Sequence, residues 1–69
     1  MKYVITDQNE VKVSHYGLHQ EIAKDLKGKV VRAGECQKLE DGWTVFGQSY
    51  GYGIKAKNSD RKFLDEAGL

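Results

Sequence analysis

Proline is absent from this chain of 69 residues, cysteine and tryptophan each occur once, and neither sign of charge prevails. Each shortage excludes something. Without proline or a serine-rich stretch there is no linker and no visible domain boundary, so the chain reads as one small domain over residues 1–69. A lone Cys36 cannot form an internal disulfide framework, and an unpaired thiol fits a reducing compartment, which makes cytoplasmic the expectation. The N-terminal apolar run Tyr3-Val4-Ile5 turns polar at Thr6, far short of a signal-peptide core or of the about 20 apolar residues a membrane span needs. No membrane association is expected. Eleven basic residues against ten acidic leave a net charge of +1, which excludes the global basic field of a protein held to nucleic acid mainly through phosphates. A core this small rarely supplies more than roughly 3–5 kcal/mol unaided, which leaves oligomerisation as the one common reinforcement open to the chain.

What is present is patterned. Lys2 to Thr6 is rich in β-formers, Asp7-Gln8-Asn9 supplies turn formers, and Glu10 to Ser14 alternates with Val11 and Val13 on one face, which together predict a hairpin. From Leu18 to Lys27, Leu18, Ile22 and Leu26 recur every four residues, predicting an amphipathic helix capped by Ser14 and stopped by Gly28. Asp41-Gly42 between Lys29–Leu39 and Trp43–Phe46 predicts a second hairpin. With a three-residue loop, Leu39 would face Trp43 and Cys36 would face Phe46; a two-residue loop shifts that register. Glycines then interrupt the aromatics through Ile54, and Lys55-Ala56-Lys57 ends the last strand. Asn58-Ser59-Asp60 begins a short helix that turns Phe63, Leu64 and Ala67 inward and ends before Gly68. The expected fold is α+β, in the order β-β-α-β-β-α: an antiparallel sheet of four or five strands with two short helices packed on one face.

Few constellations carry chemistry. His15 and His19 are four apart, a spacing that metal sites use on a helix, and Cys36 could be a third ligand. A structural zinc site wants four ligands and there is no second cysteine, His15 falls at the edge of the expected helix, and no metal or other cofactor is assigned. Cys36 with a histidine could also form a nucleophile and base, yet mid-strand it reads as a small half-buried hydrophobe. Nucleophile elbow, phosphate-cradling loop and dinucleotide fingerprint are all missing, and Glu40-Asp41 and Asp65-Glu66 belong to a turn and a helix surface. No enzyme is expected.

The informative stretch runs from Trp43 to Lys62. It holds Trp43, Phe46, Tyr50 and Tyr52, and over residues 50–62 Lys55, Lys57, Arg61 and Lys62 stand against the single Asp60. Aromatics on a sheet beside a basic rim are how single-strand nucleic-acid binders stack bases and neutralise phosphates. Tyr50-Gly51-Tyr52-Gly53-Ile54 resembles the Gly-aromatic core of the ribonucleoprotein and cold-shock motifs over these five residues, without the basic residue before the first glycine. The plainer reading has Trp43 and Phe46 filling the core, the tyrosines covering it, and the lysines solvating an edge strand. A third use of the same surface is protein binding, because a small sheet has edges and Tyr and Trp dominate interface energetics. The sequence therefore favours a non-catalytic intracellular domain that binds a protein partner or its own copy, as a homodimer, through the second hairpin and the segment Tyr50 to Lys57. Weak single-strand nucleic-acid binding is the alternative, with Trp43, Tyr50, Tyr52, Lys55, Lys57, Arg61 and Lys62 as the contact residues for either.

Overall fold

The computed structural model describes all 69 residues. Both hairpins form where turn chemistry places them. β1 (Lys2–Thr6) and β2 (Val11–Ser14) pair antiparallel, α1 (His19–Ile22) follows, and β3 (Val30–Leu39) pairs with both β1 and β4 (Gly42–Phe46). The sheet order is β2-β1-β3-β4, antiparallel throughout. β5 (Gln48–Ser49) and β6 (Ile54–Lys55) make a separate two-stranded ribbon, and a 3₁₀ turn at Asn58–Asp60 leads into α2 (Arg61–Glu66). The expected α+β class, with a four-stranded antiparallel sheet and two short helices, is the observed one.

The helices, however, lie on opposite faces of the sheet. Tyr3, Ile5, Cys36 and Trp43 pack with Leu64 of α2, whereas Val4, Val30 and Ala33 pack with Ile22 of α1. Side chains alternate along a strand, so Val4 must point away from its neighbours Tyr3 and Ile5. All three are fully buried. An unbroken apolar run in a strand is the mark of burial on both faces, and Tyr3-Val4-Ile5 is such a run.

The second hairpin closes with the two-residue loop Glu40-Asp41, so that Lys38 faces Trp43 and Cys36 faces Val45. The three-residue register is corrected by one position. A slip of one residue exchanges the faces of a strand, and this register places Trp43 beside Cys36 under α2, which Leu39 opposite Trp43 could not do. Gly42 accommodates the turn at φ +129°, and the Asp65 carboxylate accepts a hydrogen bond from the Trp43 amide at 3.1 Å. α1 is also shorter than the periodicity from Leu18 to Lys27 suggested. Glu10 captures the amides of Lys27 (2.9 Å) and Gly28 (2.6 Å), and Asp25 is held by Lys12 at 2.8 Å, which bends the chain away from helix after Ile22. The cap moves accordingly: Glu21 reaches back to the Leu18 amide at 2.9 Å, while the Ser14 hydroxyl accepts from the Tyr16 amide at 3.1 Å. In α2, Leu64 is buried and Phe63 half-buried as expected, but Ala67 is exposed because the helix ends before it.

Candidate functional site

A groove opens on the α1 face above one row of the sheet. In that row Ser14, Lys2, Glu35 and Phe46 stand side by side on β2, β1, β3 and β4, with their side chains on the α1 face. Leu18 and Gln20 at the start of α1 form one wall, and Gln48, Tyr50 and Gly51 of the β5–β6 ribbon form the other, enclosing about 220 Å³. The walls meet closely at one point, where a side chain on Gly51 would run into the Gln20 amide. Lys2 and Glu35 face the groove without an ion-pair partner, since the two salt bridges join Lys12 to Asp25 and Arg32 to Asp60.

Local structure explains why each wall carries one large exposed apolar side chain. Leu18 precedes the first turn of α1, so the inward positions of that helix are His19 and Ile22, and Leu18 is left 62% exposed. His19 is buried and its Nε2 donates to the Gly34 carbonyl at 2.8 Å, fixing α1 against β3. Tyr50 opens the loop between β5 and β6, a turn closed by the Gly53 amide on the Tyr50 carbonyl at 3.2 Å, and its ring is 84% exposed. Phe46 is exposed on the same side of the sheet.

The seven residues singled out from the sequence are distributed rather than gathered. Tyr50 lies at the groove, and Lys55 stands opposite Gln48 in the ribbon, beside it. Tyr52 turns inward onto the cluster of Val4, Ile22 and Ala33, and Lys57 is exposed at the approach to the 3₁₀ turn, its amide bound by Asp60 at 3.1 Å. Trp43 is 3% exposed on the opposite face, its Nε1 buried without a partner. Arg61 is tied through Nε to the Trp43 carbonyl at 2.7 Å, and Lys62 lines a different groove between β2 and α2. The Tyr50-to-Gly53 segment is a turn, so its two rings do not lie side by side on a sheet as in the motifs it resembles.

Other candidate centres also come apart. His15 lies in an exposed bend while His19 is buried, and no three His, Cys, Asp or Glu side chains come close enough together to hold a metal ion. Cys36 belongs to the α2-face cluster, whereas His19 sits on the α1 side, and burial pushes the thiol up to about 11, against a nucleophilic role. The ionisable centre that sequence reasoning missed is Asp60, fully buried, which accepts from the Tyr3 hydroxyl and from Arg32 Nη1 at 2.8 Å. Burial, followed by the Asp60 hydrogen bond, raises the Tyr3 phenol far above its ordinary value. Leu18, Lys2, Glu35, Gln20 and Gln48 were missed as well; for Leu18 the four-residue spacing to Ile22 and Leu26 pointed inward, and its exposure follows from its extended position before the helix. No helix is long and apolar enough to cross a membrane. Compared with family models, with curated proteins and with solved structures, the chain matches none.

Proposed function

We propose that the protein is a non-catalytic binding domain whose groove between Leu18 and Tyr50 takes a segment of a partner protein. The observation that carries this reading is two large, exposed apolar side chains flanking a groove floored by unpaired polar groups. An apolar anchor side chain fits between Leu18 and Tyr50, and the Gln20 and Gln48 amides can each donate to and accept from the peptide groups on either side of it. Tyrosine suits this task because its ring offers contact area at small conformational cost. The unpaired thiol of Cys36 agrees with a reducing, intracellular setting.

Single-strand nucleic-acid binding draws less support from this arrangement. A stacking platform needs several exposed rings beside cations, and here Trp43 is buried, Tyr52 faces inward and Arg61 is held by a backbone carbonyl. Glu35 adds a carboxylate where a phosphate would have to pass.

The test is selection of peptides from a random display library, followed by amide chemical-shift mapping of the selected peptides. Shifts centred on Leu18, Gln48 and Tyr50 are expected, with affinity lowered about tenfold or more in a Leu18→Ala/Tyr50→Ala variant. That variant loses only exposed side chains and should keep its stability within about 0.5 kcal/mol. Peptides that map elsewhere or bind the variant equally, or salt-sensitive binding of a thymidine 20-mer in their place, would overturn the proposal.

A further inference from the structure

The two outer edges of the four-stranded sheet are not equivalent. The Thr6 amide donates to the Glu10 carbonyl at 3.0 Å and the Cys36 amide to the Met1 carbonyl at 2.8 Å. In an antiparallel ladder bonded and non-bonded pairs alternate, so even-numbered residues of β1 bond toward β2 and odd-numbered ones toward β3. Lys12 and Ser14 of β2 therefore spend their main-chain groups on Val4 and Lys2, and the N–H and C=O of Val11 and Val13 point outward. The same alternation turns the main chain of Trp43 outward on β4, but there Asp65 accepts from its N–H and Arg61 donates to its C=O. The β4 edge is closed at Trp43 by the last helix and leaves only Val45 unbonded, whereas the β2 edge has no such cover.

The usual protections of an edge are also spent or missing on β2. It has no bulge and no proline, and its single lysine, Lys12, has its ammonium group bound to both Asp25 oxygens at 2.8 and 3.0 Å. Grooves flank the strand on both faces. One of about 380 Å³ lies toward α2 and is lined by Asn9, Val11, Lys62, Phe63, Glu66 and Ala67; one of about 440 Å³ lies toward α1 and includes Lys12, Tyr16 and Ile22.

We propose that the open edge of β2 pairs antiparallel with β2 of a second copy, joining the two sheets into one of eight strands about a two-fold axis at Lys12. The residues around this edge complement themselves under such an axis, as an isologous interface requires. Val11 of each copy exchanges main-chain hydrogen bonds with Val13 of the other, and the four valines form one apolar floor on the α2 side. On the α1 side the two Lys12 ammonium groups meet between two Asp25 carboxylates, so the approach of like charges is neutralised. The α2 helices run antiparallel across the floor. Lys62 and Glu66, one helical turn apart and both on the groove, then stand across from the opposite charge of the partner helix. This surface is separate from the Leu18–Tyr50 groove, so the two proposals fail independently.

Sedimentation equilibrium across a concentration series tests the pairing. The unaltered chain should dimerise, and Val13→Pro, which removes an outward N–H along with part of the Val13 packing on the core, should weaken the dimer at least about tenfold while circular dichroism shows the monomer still folded. Because the substitution could strain β2, charge variants provide a second arm. Lys62→Glu alone and Glu66→Lys alone should each be mainly monomeric, and an equimolar mixture of the two should recover the dimer, since every facing pair is then opposite in sign. In deuterium exchange, the Val11 and Val13 amides should be protected only at concentrations where the dimer is populated. A chain that stays monomeric to millimolar concentration, or single charge variants that dimerise as well as their mixture, would overturn the pairing. A dimer that survives both the proline and the charge changes but is lost in Leu18→Ala/Tyr50→Ala would place the contact on the other groove instead.

Discussion

Asp60 stands in no solvent, yet its carboxylate has donors from three parts of the chain: the Tyr3 hydroxyl on β1, Arg32 on β3 and the Lys57 amide just before it. Arg32 also lies over the Phe63 ring at 4.6 Å, so one guanidinium joins the sheet to α2 by charge and by stacking. Removing one partner of a buried pair is costly because the other is left uncompensated. Asp60→Asn should cost about 2–3 kcal/mol, since Arg32 keeps partial access to water, and Tyr3→Phe about 1–2 kcal/mol. Urea denaturation of the two variants checks the order. A larger loss in Tyr3→Phe would show that the hydroxyl, not the ion pair, is the main tie.

Among the elements, β3 does the most positioning. Its ten residues pair with β1 along one part and with β4 along another, and the carbonyl of its Gly34 receives His19. At the same residue a side chain would meet the Ala56 methyl at 2.7 Å and the Phe46 carbonyl at 3.2 Å, so the absence of a Cβ lets the chain after β6 cross tightly beside β3. Gly34→Ala should therefore destabilise by about 1–3 kcal/mol and shift the amide resonances of Gln48 and Tyr50, because the ribbon wall of the groove has to move. Thermal unfolding and amide spectra report the two effects separately; a variant as stable as the parent would show that this crossing is loose. The β1–β2 hairpin and the strand–Asp-Gly–strand unit were legible because their turn residues and alternation are local. The extent of α1 was not, since its end is set by Glu10, just before β2, and Lys12 within it, both earlier in the chain.

For the whole molecule, the ionisable groups whose titration is shifted bound a pH window of stability from both sides. Glu10, through the Lys27 and Gly28 amides, and Asp25, through Lys12, are held below their ordinary values. A carboxylate with a lowered folded-state pKa stabilises above its unfolded value near 4, and this contribution is lost as the pH falls through the folded one. Cys36 and Tyr3 are raised by burial, so their contribution is complete below the unfolded values of about 8.5 and 10 and is lost as the pH climbs past them. Unfolding free energy should thus be flat between about pH 5 and 8 and fall on either side. Glu10→Gln should flatten the acid limb, and Cys36→Ala should delay the onset of the alkaline limb from about pH 9 toward pH 10. Urea titrations at a series of pH values check both. An alkaline limb that begins at the same pH in Cys36→Ala would assign it to other groups. A dimer through β2 would add a concentration dependence to this profile, which the same titrations at two protein concentrations would reveal.

Composition and local pattern alone determined the α+β class, the two hairpins and the place of the last helix, because turn residues, alternation and helical spacing act over a few neighbours; the exposure of Tyr50 came only with the tertiary structure. Tertiary structure decided which face each helix covers, the register of the second hairpin, the burial of Trp43 and the assembly of the groove. Those outcomes depend on residues far apart in the chain: Trp43 is held by Asp65 and Arg61, Tyr3 meets Asp60, and Leu18 meets Tyr50 across a groove floored by Lys2 and Glu35. A one-residue slip in a strand leaves every local preference satisfied and reverses which side chains reach the core, so only the packing against both helices could choose between the registers.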